Sequence, residues 1–115
     1  MTRPKIIATD LDGTIIPFDG HISKRTIEIF TKAHDLGIHI FFITGRPPRW
    51  MNEVREAFSF GTGVCGNGAV IYDFHKNKIL EEWLISVEDL SLILEERWSC
   101  RFTLVVSTTS FHFCR

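Results

Sequence analysis

The sequence predicts an α/β fold with a doubly wound, largely parallel sheet. Three observations carry this reading. Short β-branched apolar runs recur, and each ends at a polar or Gly-bearing turn. Segments of helical period lie between them. The resulting β-α-β-α-β order calls for parallel strands joined by right-handed crossovers. Length and composition agree with it. The 115 residues make one modest domain, with 44% apolar and 23% charged residues, the balance of an ordinary globular chain. Such a chain buries roughly two-thirds of its unfolded surface, enough for a single core.

Several function classes are excluded at this level. A net charge of −1 and a pI near 6.5 give no electrostatic basis for binding nucleic acid or an anionic membrane surface. The longest apolar runs, such as Ala69 to Tyr72, are far shorter than the roughly 20 residues of a spanning helix. The basic start, Met1 to Lys5, leads into an acidic motif without a signal-peptide apolar region. Cys65, Cys100 and Cys114 are odd in number and irregularly spaced, which fits neither a disulfide framework nor a zinc site. A reducing cytoplasm is the expected setting.

Each element has a local reason. Lys5 to Thr9 is short, apolar and β-branched, and suits a strand buried on both faces that ends at Asp10. Ser23 is an N-cap for a helix from Lys24 to Leu36, with Ile22 and Ile27 as a hydrophobic staple. Ile27, Phe30, Ala33 and His34 share one face of it, and Gly37 ends it. Ile38 to Ile43 is a second buried strand. Pro47 and Pro48 suit the first turn of another helix running to Phe58, with Trp50, Met51, Val54, Ala57 and Phe58 on its apolar side. A third strand is expected near Gly63 to Cys65. The pattern then changes. Ala69 to Phe74 and Lys78 to Trp83 read as paired antiparallel strands turning at His75, Lys76 and Asn77. Ser86 and Asp89 form a capping box for a helix from Val87 to Trp98 whose buried face is Leu90, Ile93, Leu94 and Trp98. Arg101 to Val106 is a last strand candidate. Trp50, Trp83 and Trp98 are expected in the core.

The sharpest motif is Asp10-Leu11-Asp12-Gly13-Thr14. Ligands of open α/β sheets bind beyond the C-terminal ends of the strands, which is where Asp10 falls. Asp12, two residues on, reaches the same crevice, and Gly13 lets the chain turn away. Two carboxylates about 4 Å apart repel by roughly 4 kcal/mol at an effective dielectric of 20, so a cation or a shared proton is called for. Hard oxygen donors near phosphate favour Mg²⁺. One carboxylate suits a nucleophile and the other a general acid and base. By composition the pattern arises in only about one chain in a thousand of this length. Thr44-Gly45-Arg46 follows the second strand. Its hydroxyl and backbone N–H groups suit phosphate oxygens, and Arg46 is either a contact to substrate or phosphate or a solvated helix-start cation. Gly66-Asn67-Gly68 follows the third strand, with Asn67 either a substrate contact or part of a turn. Cys65 reads as a small buried hydrophobe, since no His stands to activate it.

These residues together resemble the haloacid dehalogenase superfamily. Asp10 to Thr14 matches its first motif and Thr44 to Arg46 its second. Ile43 to Pro47 followed by Gly66 to Asp73 is similar to the Cof-type sugar-phosphatase branch, which inserts an α/β cap after the third strand. The resemblance implies a Mg²⁺-dependent phosphatase of small phosphorylated metabolites, sugar phosphates among them. It implies Asp10 as nucleophile and Mg²⁺ ligand, and Asp12 as general acid and base that also binds Mg²⁺ through its backbone carbonyl. Thr44 would hold the phosphoryl group, with backbone amides near Leu11, Asp12 and Gly45. It divides the chain into a partial core over 1–74 and the start of a cap over 75–115. The family's third-motif Lys and fourth-motif acidic pair follow the cap and are not identified in these residues. The chain therefore looks like the N-terminal portion of such an enzyme, with weak metal binding and little turnover expected by itself. A phosphomutase of the same superfamily and a non-catalytic binding module are the alternatives. A receiver domain fits less well, because it would place an Asp after the third strand, where Gly66 and Asn67 stand.

Overall fold

The structure, a computed structural model, describes residues 4–18 and 20–96. Among these, five strands form one mixed sheet in sequence order: β1 (Ile6–Asp10), β2 (His39–Ile43), β3 (Thr62–Cys65), β4 (Val70–Asp73) and β5 (Lys78–Glu82). The first three are parallel, with Asp10 opposite Ile43 and Ile43 opposite Val64. The last two extend the same sheet as an antiparallel meander. Helices α1 (Lys24–Asp35), α2 (Asn52–Ala57) and α3 (Val87–Glu96) complete the described elements. The α/β expectation holds, with a parallel part confined to β1–β3.

Helix α1 starts and stops where its sequence dictates. The Ser23 hydroxyl accepts the Thr26 N–H at 3.1 Å. At the other end Gly37 N–H donates to His34 C=O at 2.8 Å and Ile38 N–H to Ala33 C=O at 3.1 Å. These are the paired bonds of a Schellman cap, and Gly37 has the left-handed φ of +78° it needs. The expected apolar stripe packs as read: Ile27, Phe30 and Ala33 lie against the core and His34 stacks on Phe60 at 4.2 Å.

Strand alternation puts Ile7, Ile40, Phe42, Cys65, Val70 and Tyr72 against the helices. Fully buried Phe42 is the hub, with ring centroids of Phe58, Phe74 and Phe30 at 5.1, 5.4 and 6.2 Å. Phe30 lies on α1 and Phe58 caps α2, so both helices cover this same face. The other face carries Ile6, Phe41, Ile43, Val64 and Ile71. Ile6 is 57% and Ile43 44% exposed. This corrects the expectation of strands buried on both faces. Both faces are apolar, but the described elements cover one.

Three further expectations are corrected. The helix expected from Pro47 to Phe58 is interrupted. Pro48–Trp50 forms a single 3₁₀ turn, with N–H bonds from Trp50 to Pro47 and Met51 to Pro48, before α2 begins. The tighter winding turns Trp50 away from the face that Met51 and Val54 bury. Trp50 and Trp83 are accordingly exposed rather than in the core, while Trp98 lies outside the described residues. Helix α3 has its cap, since Ser86 Oγ accepts the Asp89 N–H at 3.0 Å. Asp89 returns to the Ser86 hydroxyl at 2.8 Å rather than to its backbone. Its expected buried face is not formed: Leu90 is half-buried and Ile93 is exposed, because α3 follows β5, an edge strand that is itself exposed along its length. The side chain of Leu94 and the strand candidate Arg101 to Val106 lie outside the described residues. Among the described residues no helix is long and apolar enough to cross a membrane.

Candidate active site

Three loops meet beyond the C-terminal ends of β1, β2 and β3. The first is held by burial. Leu11, Ile15 and Ile16 sit in the core, and Leu11 C=O accepts N–H bonds from Thr14, Ile15 and Ile16. Gly13 N–H donates to Ile16 C=O at 2.8 Å, closing the turn. Asp10 and Asp12 flank buried Leu11 and are left exposed. Gly13 adopts φ +77°, and a Cβ there would lie 2.7 Å from the ring of Phe18. The loop thus demands Gly for its turn, since the exposed Phe18 ring could swing away from a Cβ.

The second loop is anchored by Thr44, which is buried. Its N–H donates to Val64 C=O at 2.9 Å, and its Oγ1 accepts the Arg46 N–H at 3.0 Å. Accepting that bond leaves the hydroxyl proton to donate elsewhere. The third loop is laced to the second. Gly66 N–H donates to Arg46 C=O at 3.0 Å and Asn67 N–H to Thr44 C=O at 3.1 Å. Asn67 takes a left-handed φ of 54°, and its carboxamide oxygen lies 3.2 Å from where a Gly45 Cβ would be. Any side chain at 45 would press on Asn67. Register sets Asp10 beside Ile43, next to Thr44.

The dominant electrostatic feature is a fork from Arg46 to Asp12. Arg46 Nε donates to Asp12 Oδ2 at 3.0 Å, and Nη2 bonds Oδ1. The Arg46 side chain is 23% exposed and that of Asp12 48%. The Asp12 hydrogen bond raises the Arg46 pKa. Desolvation opposes it, and the charges of Asp12 and Glu53 add to it. Sequence reasoning offered Arg46 as a contact to substrate or phosphate or as a solvated cation, and missed this partner. The available signal was that Asp12 and Arg46, of opposite charge, follow the ends of adjacent parallel strands. Asn67 does reach the site, on Gly45. Cys65 behaves as read: it is fully buried, and burial pushes its thiol up to about 11. A recess lined by His34, His39, Phe60 and Asp73 opens at the opposite ends of β2 and β3, away from these loops.

Phosphatases are among the known proteins similar to this chain. Residues 7–113 match the family model of the haloacid dehalogenase-like hydrolases. The pyridoxal phosphate phosphatase of Escherichia coli K12 is 31% identical over 78 residues, covering 67% of this chain and 29% of that protein. A phosphatase of the haloalkanoate superfamily from Bacteroides thetaiotaomicron superposes with a TM-score of 0.74 at 26% identity, over 84% of this chain and 35% of its own. A subclass IIB sugar phosphatase superposes with a TM-score of 0.63 at 26% identity, over 83% and 37%. The chain spans about a third of the length of these relatives. With its motifs set at the strand ends of the same sheet, the chain belongs to the haloacid dehalogenase-like hydrolases.

Proposed function

We propose that the chain carries the phosphoryl-accepting part of a Mg²⁺-dependent phosphatase of small phosphorylated metabolites. The observation that supports it best is the pinned first loop, which holds Asp10 and Asp12 on either side of buried Leu11, next to Thr44. Asp10 is the nucleophile. Its carboxylate oxygen bonds to phosphorus as the ester oxygen departs, and protonated Asp12 gives that oxygen its proton. Asp12 then takes a proton from the water that cleaves the acyl phosphate, which releases inorganic phosphate and restores Asp10. The Thr44 hydroxyl and the backbone amides of Leu11 and Gly45 hold the phosphoryl oxygens. Relatives named for pyridoxal phosphate and for sugar phosphates share the phosphoryl group and differ in what carries it. That supports the broad substrate class, with sugar phosphates as one member.

The donor set fits Mg²⁺ as a partial site. Among the described residues no three His, Cys, Asp or Glu cluster around one point. Mg²⁺, however, commonly takes only one or two carboxylates and fills its shell with water and phosphate. Asp10 would supply a carboxylate oxygen and Asp12, as the resemblance implies, its backbone carbonyl, which leaves the Asp12 carboxylate to proton transfer. When bound, the ion would supply positive charge against the phosphoryl oxygens. Residues 75–115 are taken as the start of a cap that selects substrate. The buried free thiol of Cys65 agrees with a reducing cytoplasm.

Beryllofluoride, which mimics a phosphoryl group on a carboxylate, tests the assignment of Asp10. With Mg²⁺ present, fluorine NMR is expected to show a bound species with the wild-type chain and with Asp73→Asn, and none with Asp10→Asn. A bound signal that survives Asp10→Asn overturns the assignment. No signal from the folded wild type overturns the reading that this chain by itself carries the phosphoryl-accepting site.

A further inference from the structure

We propose that Arg46 passes between two anions, clamping Asp12 until a phosphoryl group arrives and then transferring its guanidinium to that group. This rests on the phosphatase reading and adds how its acid and base are released. The fork engages both carboxylate oxygens of Asp12, one through Nε and one through Nη2. A carboxylate so held accepts a hydrogen bond at each oxygen, which leaves neither oxygen free to face a leaving group. Its resting partner therefore has to leave before it can act.

The geometry favours transfer over a permanent clamp. The Arg46 backbone is fixed at both ends of its peptide unit, by Thr44 Oγ1 at its N–H and by Gly66 N–H at its carbonyl, each at 3.0 Å. Only the side chain has to move, and it pivots beside the hydroxyl assigned to phosphate. The two partners differ in exposure. The Asp12 side chain is 48% exposed, so water can take over its solvation. The Arg46 side chain is only 23% exposed and is better served by another anion than by water. A phosphate ester carries more charge than a carboxylate and offers the same two-oxygen face to a guanidinium. Glu53, the other acidic group acting on Arg46, is already bonded to His21 Nδ1 at 3.0 Å.

Inorganic phosphate in metal-free buffer is the probe, read by calorimetry and by the Arg46 Nε–H signal in a proton–nitrogen correlation spectrum. The signal is assigned by its absence in Arg46→Ala. Phosphate is expected to shift it in the wild type. Arg46→Ala is expected to weaken phosphate binding by about tenfold or more, the usual worth of a charge-assisted hydrogen bond. Arg46→Gln, which keeps the three-carbon stem and removes the charge, replaces it should the alanine variant lose its fold. Asp12→Asn frees Arg46 and is expected to tighten binding, and that gain should disappear in the double variant with Arg46→Ala. Unchanged affinity in Arg46→Ala overturns the transfer and leaves Arg46 a clamp alone. A gain from Asp12→Asn that persists without Arg46 overturns it too, in favour of simple repulsion. If the folded wild type binds no phosphate and its Nε–H signal stays still, the transfer is overturned, whereas the phosphatase reading is decided separately by the beryllofluoride experiment with Mg²⁺.

Discussion

Thr44 joins the local structure of the second loop to its chemistry through one buried hydroxyl. Replacing it with Val keeps the shape and removes the acceptor of the Arg46 N–H. Urea denaturation of Thr44→Val is expected to show a loss of about 1–3 kcal/mol from the unsatisfied donor. Calorimetry should show phosphate affinity falling by about tenfold with the lost donor to its oxygens. Cys65 has a different consequence, one of pH. Unfolded, its thiol ionises near its ordinary 9.0, whereas in the folded chain it keeps its proton to about 11. Above 9.0 the unfolded state therefore binds fewer protons than the folded one, and stability falls as pH rises toward about 11. Urea midpoints measured on either side of pH 9.0 should show the decline, and Cys65→Ala should flatten it. Site residues were legible in the sequence where a motif names them, as with Asp10, Asp12 and Thr44. The partner of Arg46 was not, since 34 residues separate it from Asp12 and only the sheet brings them together.

At the scale of elements, helix ends are the most local features and were the most readable. Ser23 and Gly37 were identified from sequence as the two caps of α1, and both form their bonds. Ser23→Ala is expected to cost about 1 kcal/mol, measured by urea midpoint at unchanged m-value. Gly37→Ala is expected to cost about 1–2 kcal/mol, because an L side chain at φ +78° meets the following carbonyl. The caps sit at opposite ends of the helix, so the double variant should lose the sum. The segment after Pro47 was less readable. Its apolar spacing suits an α-helix, but hydrophobic period does not distinguish a continuous helix from a 3₁₀ turn followed by a short α-helix. A shift of a few residues in winding decided that Met51 is buried and Trp50 exposed.

For the whole molecule, the notable feature is a sheet with one covered face. Ile6, Ile43 and the half-buried Phe41, Val64 and Ile71 form an apolar surface opposite the Phe42 core. Among the described residues β1 also pairs on one side only, with β2. Exposed apolar faces and free strand edges favour association. The chain is expected to bind a hydrophobic dye and to associate as concentration rises, as followed by sedimentation velocity. Ile6→Thr with Ile43→Thr should reduce both while changing stability by only about 0.5 kcal/mol per site, the usual scale for exposed positions. By contrast Phe42→Ala should cost about 3–5 kcal/mol, since it empties the centre of the aromatic cluster.

The sequence by itself determined the strand positions, both caps of α1, the turn between β4 and β5, and the acidic and Thr-Gly motifs at the strand ends. Each rests on interactions within a few residues, or on an alternation that a strand imposes wherever it lies. It also made both faces of β1 and β2 apolar. Only the tertiary structure decided which face is covered, because cover depends on where α1 and α2 dock. The tertiary structure likewise decided that Arg46 holds Asp12. A salt bridge between the ends of two strands is fixed by sheet register, and register is set by the packing of the whole face rather than by either residue.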